Sequence, residues 1–382
     1  MDLLSPMTPI ELRRHLHTLP ELSGFEKNTS AFIIKTLRQL GITKIHHGFS
    51  FFTTIAEIDG LEPGPTFLFR CELDALPIQE ENSFAHRSTY AGISHKCGHD
   101  GHAATMVRFA QKLMQKRPQK GRVLLLFQSA EETGAGAKAA LESRYLEQFE
   151  VDYAFAYHNI VGFPLGTVLA REGLFTPCVE SGVFELTGQT SHAAEPQKGI
   201  NPAKAIAEII CYFDSLTLLD KNADDYFIAT PIHLEMGEKA YGTSAGSATI
   251  GYTFRTWKND VFANKKQQII QQVTAIAQEH HLVLNATWLE SFAANTNHLD
   301  AYLAIKQAAT LQNISFAELD KPFEFGEDFG LFTQQYKGAM FGIGSGENSP
   351  PLHSPTYDFP DELIEIGSSM FMQLVDLCLN RD

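Results

Sequence analysis

Apolar positions along the first 160 residues alternate between two rhythms. Residues 30–40 set Phe32, Ile33, Leu37 and Leu40 near helical spacing, with Gly41 where a helix C-cap would stand. Thr66-Phe67-Leu68-Phe69 is a short apolar run of the buried-strand kind. Asp100 stands where it can N-cap a helix carrying Ala103, Met106, Val107, Ala110, Leu113 and Met114 on one face. Val123-Leu124-Leu125-Leu126-Phe127 and Val151-Asp152-Tyr153-Ala154-Phe155-Ala156 are strand-like again. Strands separated by helices predict a largely parallel sheet covered on both faces. Ligands of such sheets bind beyond the carboxyl ends of the strands.

From about Glu180 the rhythm changes. Val183-Phe184-Glu185-Leu186 runs into a Gly-Gln-Thr-Ser turn, and a helical pattern covers Pro202 to Phe213. Strand patterns follow around Ile232 and from Thr249 to Phe254, then a long helical pattern from Val261 to Ala277 and the strand Leu282-Val283-Leu284. This predicts a smaller α+β domain with two helices on an antiparallel sheet. After about Ala294 the helix and strand patterns of the first part resume. The expected fold is therefore α/β: a mostly parallel-sheet domain over 1–179 and 294–382, interrupted by an inserted α+β domain over 180–293.

Composition narrows the class of function. The 382 residues are 44% hydrophobic and 20% charged, enough for a large core and too apolar for disorder. A net charge of −15 argues against nucleic acid or anionic membrane as a partner. No uninterrupted apolar run is long enough to span a bilayer. The start, Met1-Asp2-Leu3-Leu4-Ser5-Pro6, lacks the basic and apolar regions of an export signal. Five cysteines (Cys71, Cys97, Cys178, Cys211 and Cys378) are too few and odd in number for a disulfide framework. A reducing, cytoplasmic setting is expected, with any special cysteine a metal ligand or a nucleophile.

The chemistry-bearing residues lie just after the predicted strands. Cys97-Gly98-His99-Asp100-Gly101-His102 puts a thiol and an imidazole two residues apart ahead of a helix, where both can meet one cation. The helix start is expected to lower the Cys97 pKa. Glu131-Glu132 follows the strand ending at Phe127, and adjacent carboxylates are costly there without a cation. Neighbouring side chains diverge, so one can hold a metal while the other acts on water. His158-Asn159 ends the next strand, and His353 sits in the loop Leu352-His353-Ser354-Pro355. Singly, each has a plain reading: a small buried cysteine, a solvated acidic turn, a core histidine, an exposed loop histidine. Together Cys97, His99, Glu132, His158 and His353 exceed the four ligands of one tetrahedral zinc and suggest two metals. Glu72 and Asp74, after the strand at Thr66–Phe69, offer carboxylates to orient a ligand histidine. Gly342-Ile343-Gly344-Ser345-Gly346 imitates a nucleotide loop, but Pro350-Pro351 stands where the helix should begin. Ser191-His192 lacks the Gly-x-Ser-x-Gly elbow of a serine hydrolase.

Seven segments together resemble the di-metal aminoacylase/carboxypeptidase family. They are Arg70-Cys71-Glu72-Leu73-Asp74-Ala75-Leu76-Pro77, the Cys97–His102 motif, Ser129-Ala130-Glu131-Glu132, His158-Asn159, Ser191-His192-Ala193-Ala194-Glu195-Pro196, Gly326-Glu327-Asp328-Phe329-Gly330 and Leu352-His353-Ser354-Pro355. The opening, Arg13-Arg14-His15-Leu16-His17 through Pro20-Glu21-Leu22, is similar to the branch of N-acyl-amino-acid amidohydrolases, N-acetyldiaminopimelate deacetylases and auxin-conjugate hydrolases. The resemblance implies two divalent metals, manganese or zinc with cobalt or nickel as alternatives, on Cys97, His99, Glu132, His158 and His353, with Cys97 bridging. It further implies Glu131 as general base, Asp74 as the orienter of a ligand histidine, and His192 of the inserted domain as an oxyanion donor. It implies a homodimer formed through that lid domain. Where relatives carry Gly-Thr-Ala-x-Asn-Val-Ile-Pro, this chain reads Gly242-Thr243-Ser244-Ala245-Gly246-Ser247-Ala248, leaving Arg255 to meet a substrate carboxylate. The implied activity is amide hydrolysis of an N-acyl amino acid or related small amide. A di- or exopeptidase on the same scaffold and a metal-bound, non-catalytic binding protein are the alternatives.

Overall fold

A computed structural model describes residues 7–378; the reading of Met1–Pro6 and the side chain of Cys378 lie outside what it describes. The chain divides into two compact units. The first runs to Phe175 and resumes over Asn295–Phe323 and from Glu327 onward; the second is Thr176–Ala294 with Glu324–Gly326.

The first unit is built on an eight-stranded sheet. Its spatial order is Ile45–His47, Thr54–Asp59, Lys120–Gln128, Glu62–Glu72, Tyr153–Ile160, Lys337–Gly344, Val168–Ala170 and Phe316–Glu318. The four central strands, from Lys120–Gln128 to Lys337–Gly344, run parallel. The Thr54–Asp59 strand pairs antiparallel on one flank and Val168–Ala170 on the other. The expected mostly parallel α/β fold is what the chain adopts.

The apolar runs read from the sequence owe their continuity to burial on both faces. Val123, Leu125 and Phe127 enter one core cluster, while Leu124 and Leu126 enter another. Phe67 and Phe69 alternate with Leu68 in the same way, as do Phe155 and Tyr157 with Ala154 and Ala156. A strand sends successive side chains to opposite faces, so a sheet covered twice needs apolar residues at every position. The helices His99–Gln115 and Leu363–Cys378 cover the first cluster. Burying each leucine contributes about 2 kcal/mol of transfer free energy.

The second unit is a four-stranded antiparallel sheet in the order Phe227–Met236, Ser247–Thr256, Cys178–Thr187 and Val283–Phe292. Two helices, Ala203–Leu216 and Asn259–Glu279, pack with it. Phe184 and Phe254 meet both Phe213 of the first helix and Trp288 of the last strand, a ring cluster that pins helix to sheet. No helix among the described residues is long and apolar enough to cross a membrane.

Candidate metal centre

The carboxyl ends of the four central strands carry the unusual polar groups. Glu72 ends one strand, Glu131-Glu132 follows Gln128, His158-Asn159 closes a third, and His353 lies in the loop after Gly344. Cys97 and His99 flank Gly98, whose φ of +102° turns the chain into the helix that starts at His99. Only glycine fits there: besides the left-handed φ, a Cβ would lie 2.6 Å from Asn159 Oδ1. Gly98, rather than Asp100, is therefore the N-cap residue, and it supplies no side-chain cap. Asp100 lies inside the first turn, where its Oδ2 meets His17 Nδ1 at 2.9 Å and Arg13 Nη1 at 3.4 Å. All three side chains are buried, and buried cations draw a carboxylate more strongly than a cap does.

The five ligand candidates converge. Ligand atoms of Cys97, His99 and His158 lie within 4.8 Å of one another, as do those of Cys97, Glu132 and His353. His158 Nε2 is 3.4 Å from Cys97 Sγ, His99 Nε2 is 3.8 Å from Glu132 Oε1, and His353 Nε2 is 3.7 Å from Glu132 Oε2. Glu131 borders the same cluster, 3.9 Å from His99 Nε2.

Hydrogen bonds fix which atom each histidine presents. His99 Nδ1 donates toward Asp74, whose carbonyl lies at 2.9 Å and Oδ1 at 3.2 Å. His158 Nδ1 donates to the Asn159 carbonyl at 2.8 Å. Both rings are left with Nε2 to face a cation. Asp74 has a second task, since its Oδ2 accepts the Glu132 backbone N–H at 2.9 Å and the Ser23 hydroxyl at 2.7 Å.

Two atoms test whether a metal fits. His99 Nε2 and Glu132 Oε1 are buried without a hydrogen-bond partner among the described residues. Leaving such groups unpaired costs about 1–3 kcal/mol each. An imidazole nitrogen, carboxylate oxygens and a thiol aimed at one volume are the donor set of a borderline divalent cation.

The titration behaviour points the same way. Burial and the charges of Glu132 and Glu131 push the Cys97 thiol well up, the reverse of the lowering expected from the helix start. Burial and the Glu327 carboxylate push Glu131 well up, and burial lifts Glu132 to about 7. His99 sits at about 10, because although burial opposes its charge, Asp74, Glu72 and Glu132 outweigh it. Burial leads the shifts at Cys97, Glu131 and Glu132, with neighbouring carboxylates adding to it, whereas burial lowers His158 and His353 and so favours their neutral, ligating form.

Sequence reading missed the cluster beside Glu131. Buried Arg70 pairs with Glu72, with Glu327 at 2.8 Å and with Asp328, and its Nε donates to Gln128 Oε1 at 3.0 Å. Oxygens of Glu131, Glu327 and Asp328 lie within 4.8 Å of one another. The available signal was an arginine directly after the apolar run Thr66–Phe69, a charge that burial obliges to find partners. Of the two carboxylates after the strand, Asp74 is the one on His99; Glu72 Oε2 meets His102 Nδ1 at 2.6 Å, and His102 Nε2 meets Asn159 Oδ1 at 2.6 Å.

His192 and Arg255 belong to the second unit. His192 is exposed, and its Nδ1 accepts the Ala194 N–H at 3.1 Å, so a neutral ring carries its proton on Nε2. Thr243 and Ser244 pair with His192 and Ser191 in a short ribbon, so the divergent loop is tied to the histidine segment. This loop helps line a pocket of about 210 Å³ with Thr190, Glu235 and Glu238. Arg255 lies on the strand Ser247–Thr256 and forms no ion pair among the described residues; burial holds its pKa down.

The sequence pattern of the peptidase family M20/M25/M40 matches residues 68–377. The chain belongs to this family. Among M20-family relatives, an IAA-amino acid hydrolase ILR1-like 5 of Arabidopsis thaliana is 31% identical over 378 residues, covering 96% of this chain and 85% of the relative. An N-acetyl-L-cysteine deacetylase of Bacillus subtilis is 30% identical over 368 residues, covering 95% and 86%. The solved YXEP protein of Bacillus subtilis, described as a dinuclear metal binding peptidase from the M20 family, superposes with a TM-score of 0.80 at 26% identity over 97% of each chain. A putative aminohydrolase from Staphylococcus aureus shares the fold with a TM-score of 0.86 at 21% identity, covering 98% of this chain and 96% of that one. The chain is accordingly an enzyme, a metal-dependent amidohydrolase on a scaffold that peptidases also use.

Proposed function

We propose that this M20-family enzyme removes the acyl group from N-acyl amino acids or closely related small amides, using two divalent ions held by Cys97, His99, Glu132, His158 and His353. The observation that carries this reading is the double membership of Cys97. Its sulfur belongs both to the cluster with His99 and His158 and to the cluster with Glu132 and His353, so one thiol would be within reach of both sets of ligands. Manganese and zinc suit the set best, with cobalt and nickel also admissible. When bound, the ions polarise the amide carbonyl and acidify the attacking water.

The residues supply the rest. Glu131 takes the proton of the attacking water as oxygen bonds to the carbonyl carbon, then delivers it to the amine nitrogen as the C–N bond breaks. Asp74 holds His99 in register and fixes the Glu132 amide. His192, with its proton on Nε2, suits donation to the oxyanion. Arg255 suits the free carboxylate of the substrate. The net charge of −15 and the free Cys71, Cys97, Cys178 and Cys211 support a reducing, cytoplasmic setting with no nucleic-acid partner.

The test is release of free amine from N-acetyl and N-benzoyl amino acids and from dipeptides. The protein is stripped, then reloaded with manganese or zinc. Metal-dependent release from the N-acyl substrates is expected. Preference for dipeptides would make the enzyme an exopeptidase, and silence with two ions bound would end the hydrolytic reading.

The homodimer reading draws support from the edge strand Phe227–Met236. Leu234 and Met236, 54% and 43% exposed at alternate positions, and Ile232, 65% exposed at a bulge, put apolar side chains on an open sheet edge. Sedimentation should give twice the chain mass, and Leu234→Lys should reduce it to one. A wild-type monomer at micromolar concentration would refute the assignment.

A further inference from the structure

The segment Glu21–Glu26 touches the supports of the candidate metal centre at several points. The Ala75 N–H donates to the Glu21 carbonyl at 2.8 Å, and Leu22 bridges to Ala75. The Ser23 hydroxyl donates to Asp74 Oδ2 at 2.7 Å. Glu26 is fully buried, and its Oε1 accepts the N–H of Ala130 at 2.7 Å and of Gly24 at 2.9 Å. Its Oε2 is buried without a partner among the described residues. Nothing in the sequence reading assigned Ser23 or Glu26 a task.

Ala130 explains why a carboxylate stands there. Its φ of +56° is left-handed, a conformation that a residue with a Cβ adopts only at a cost. The turn lets the chain leave the strand at Gln128 and carry Glu131 and Glu132 into the centre. An amide in such a turn has left the strand ladder, and buried it must find an acceptor. Glu26 supplies one, on a side chain that is itself tied to the Ser23–Gly24 loop.

We infer that Ser23 and Glu26 are positioning residues of the centre, a brace built by one loop. Ser23 holds Asp74, which orients His99 and the Glu132 amide; Glu26 holds the Ala130 turn from which Glu131 and Glu132 diverge. The inference rests on the metal-centre reading above, but its test does not depend on turnover alone.

Three variants, Glu26→Ala, Glu26→Gln and Ser23→Ala, are compared with wild type. Metal affinity is measured by competition with a chromogenic chelator, alongside kcat, KM and the unfolding midpoint of the chelator-treated protein. Glutamine keeps Oε1 as acceptor, so Glu26→Gln should stay within roughly threefold of wild type in metal affinity and kcat. Glu26→Ala should bind metal roughly 10- to 100-fold more weakly and lose a similar factor in kcat, with KM little changed. Ser23→Ala should weaken metal binding about tenfold, and it decides the matter should Glu26→Ala fail to fold. A purely structural role would lower the unfolding midpoint and leave metal affinity untouched. Wild-type metal affinity in folded Glu26→Ala or in Ser23→Ala overturns the brace, as does equal damage from Glu26→Gln and Glu26→Ala. If the wild type hydrolyses none of the substrates, the proposed activity fails while the metal affinities still decide the brace.

Discussion

Glu131→Gln is expected to lower kcat by about 10³- to 10⁴-fold, near the top of the range for removing a positioned general base. Two metal ions should remain bound and KM should change little. The amide preserves the volume and hydrogen-bonding shape of the carboxylate but cannot accept the proton that water must lose. Geometry makes the metal count the informative half of the experiment. Glu131 Oε2 is 3.9 Å from His99 Nε2 and clusters with Glu132, so it stands close enough to be a ligand itself. Elemental analysis of the purified variant separates the roles. Two ions and no turnover make Glu131 the base; one ion makes it a ligand; retained turnover removes it from the mechanism.

The surroundings of Glu131 favour the base. Its neighbours on the other side are Glu327 and Asp328, themselves paired with buried Arg70. Burial first, and then these carboxylates, disfavour its charged form and raise its affinity for a proton, which suits a base. Arg70 offsets part of the cluster's charge through its pairs with Glu72, Glu327 and Asp328.

How much of this was legible depended on sequence distance. Cys97 and His99 could be read because a two-residue spacing at a helix start constrains both directions at once. Glu131-Glu132 and His158 could be read because they follow apolar runs whose strand character was plain, and the carboxyl ends of parallel strands must share one rim. Arg70 with Glu327 and Asp328 could not, since partners about 258 positions apart meet only once the sheet has closed. Ser23 and Glu26 were hidden for the same reason, since they meet Asp74 and Ala130 across 51 and 104 positions. Two local rules also lost to tertiary context. Asp100 was diverted from capping by Arg13 and His17, which arrive from the first described helix, Pro9–Thr18. The helix start could not lower the Cys97 pKa against burial beside two glutamates.

Cys97→Ser is expected to have an effect of comparable size by a different route. If the sulfur joins both ligand clusters, its loss weakens both ions together, whereas losing His353 or His158 would strip one cluster only. A serine hydroxyl is a poor substitute, being hard and seldom deprotonated, where a borderline cation prefers thiolate. The variant should retain fewer than two ions after dialysis against micromolar metal, and turnover should fall by about 10³-fold or more. High metal concentration should restore part of it, since His99, Glu132, His158 and His353 remain. The measurement is metal content against free metal, followed by hydrolysis at each point. Two sequentially filled sites with only the second weakened would place Cys97 on a single ion. Unchanged stoichiometry would remove it from the ligand set, leaving the 3.4 Å contact with His158 Nε2 as packing alone.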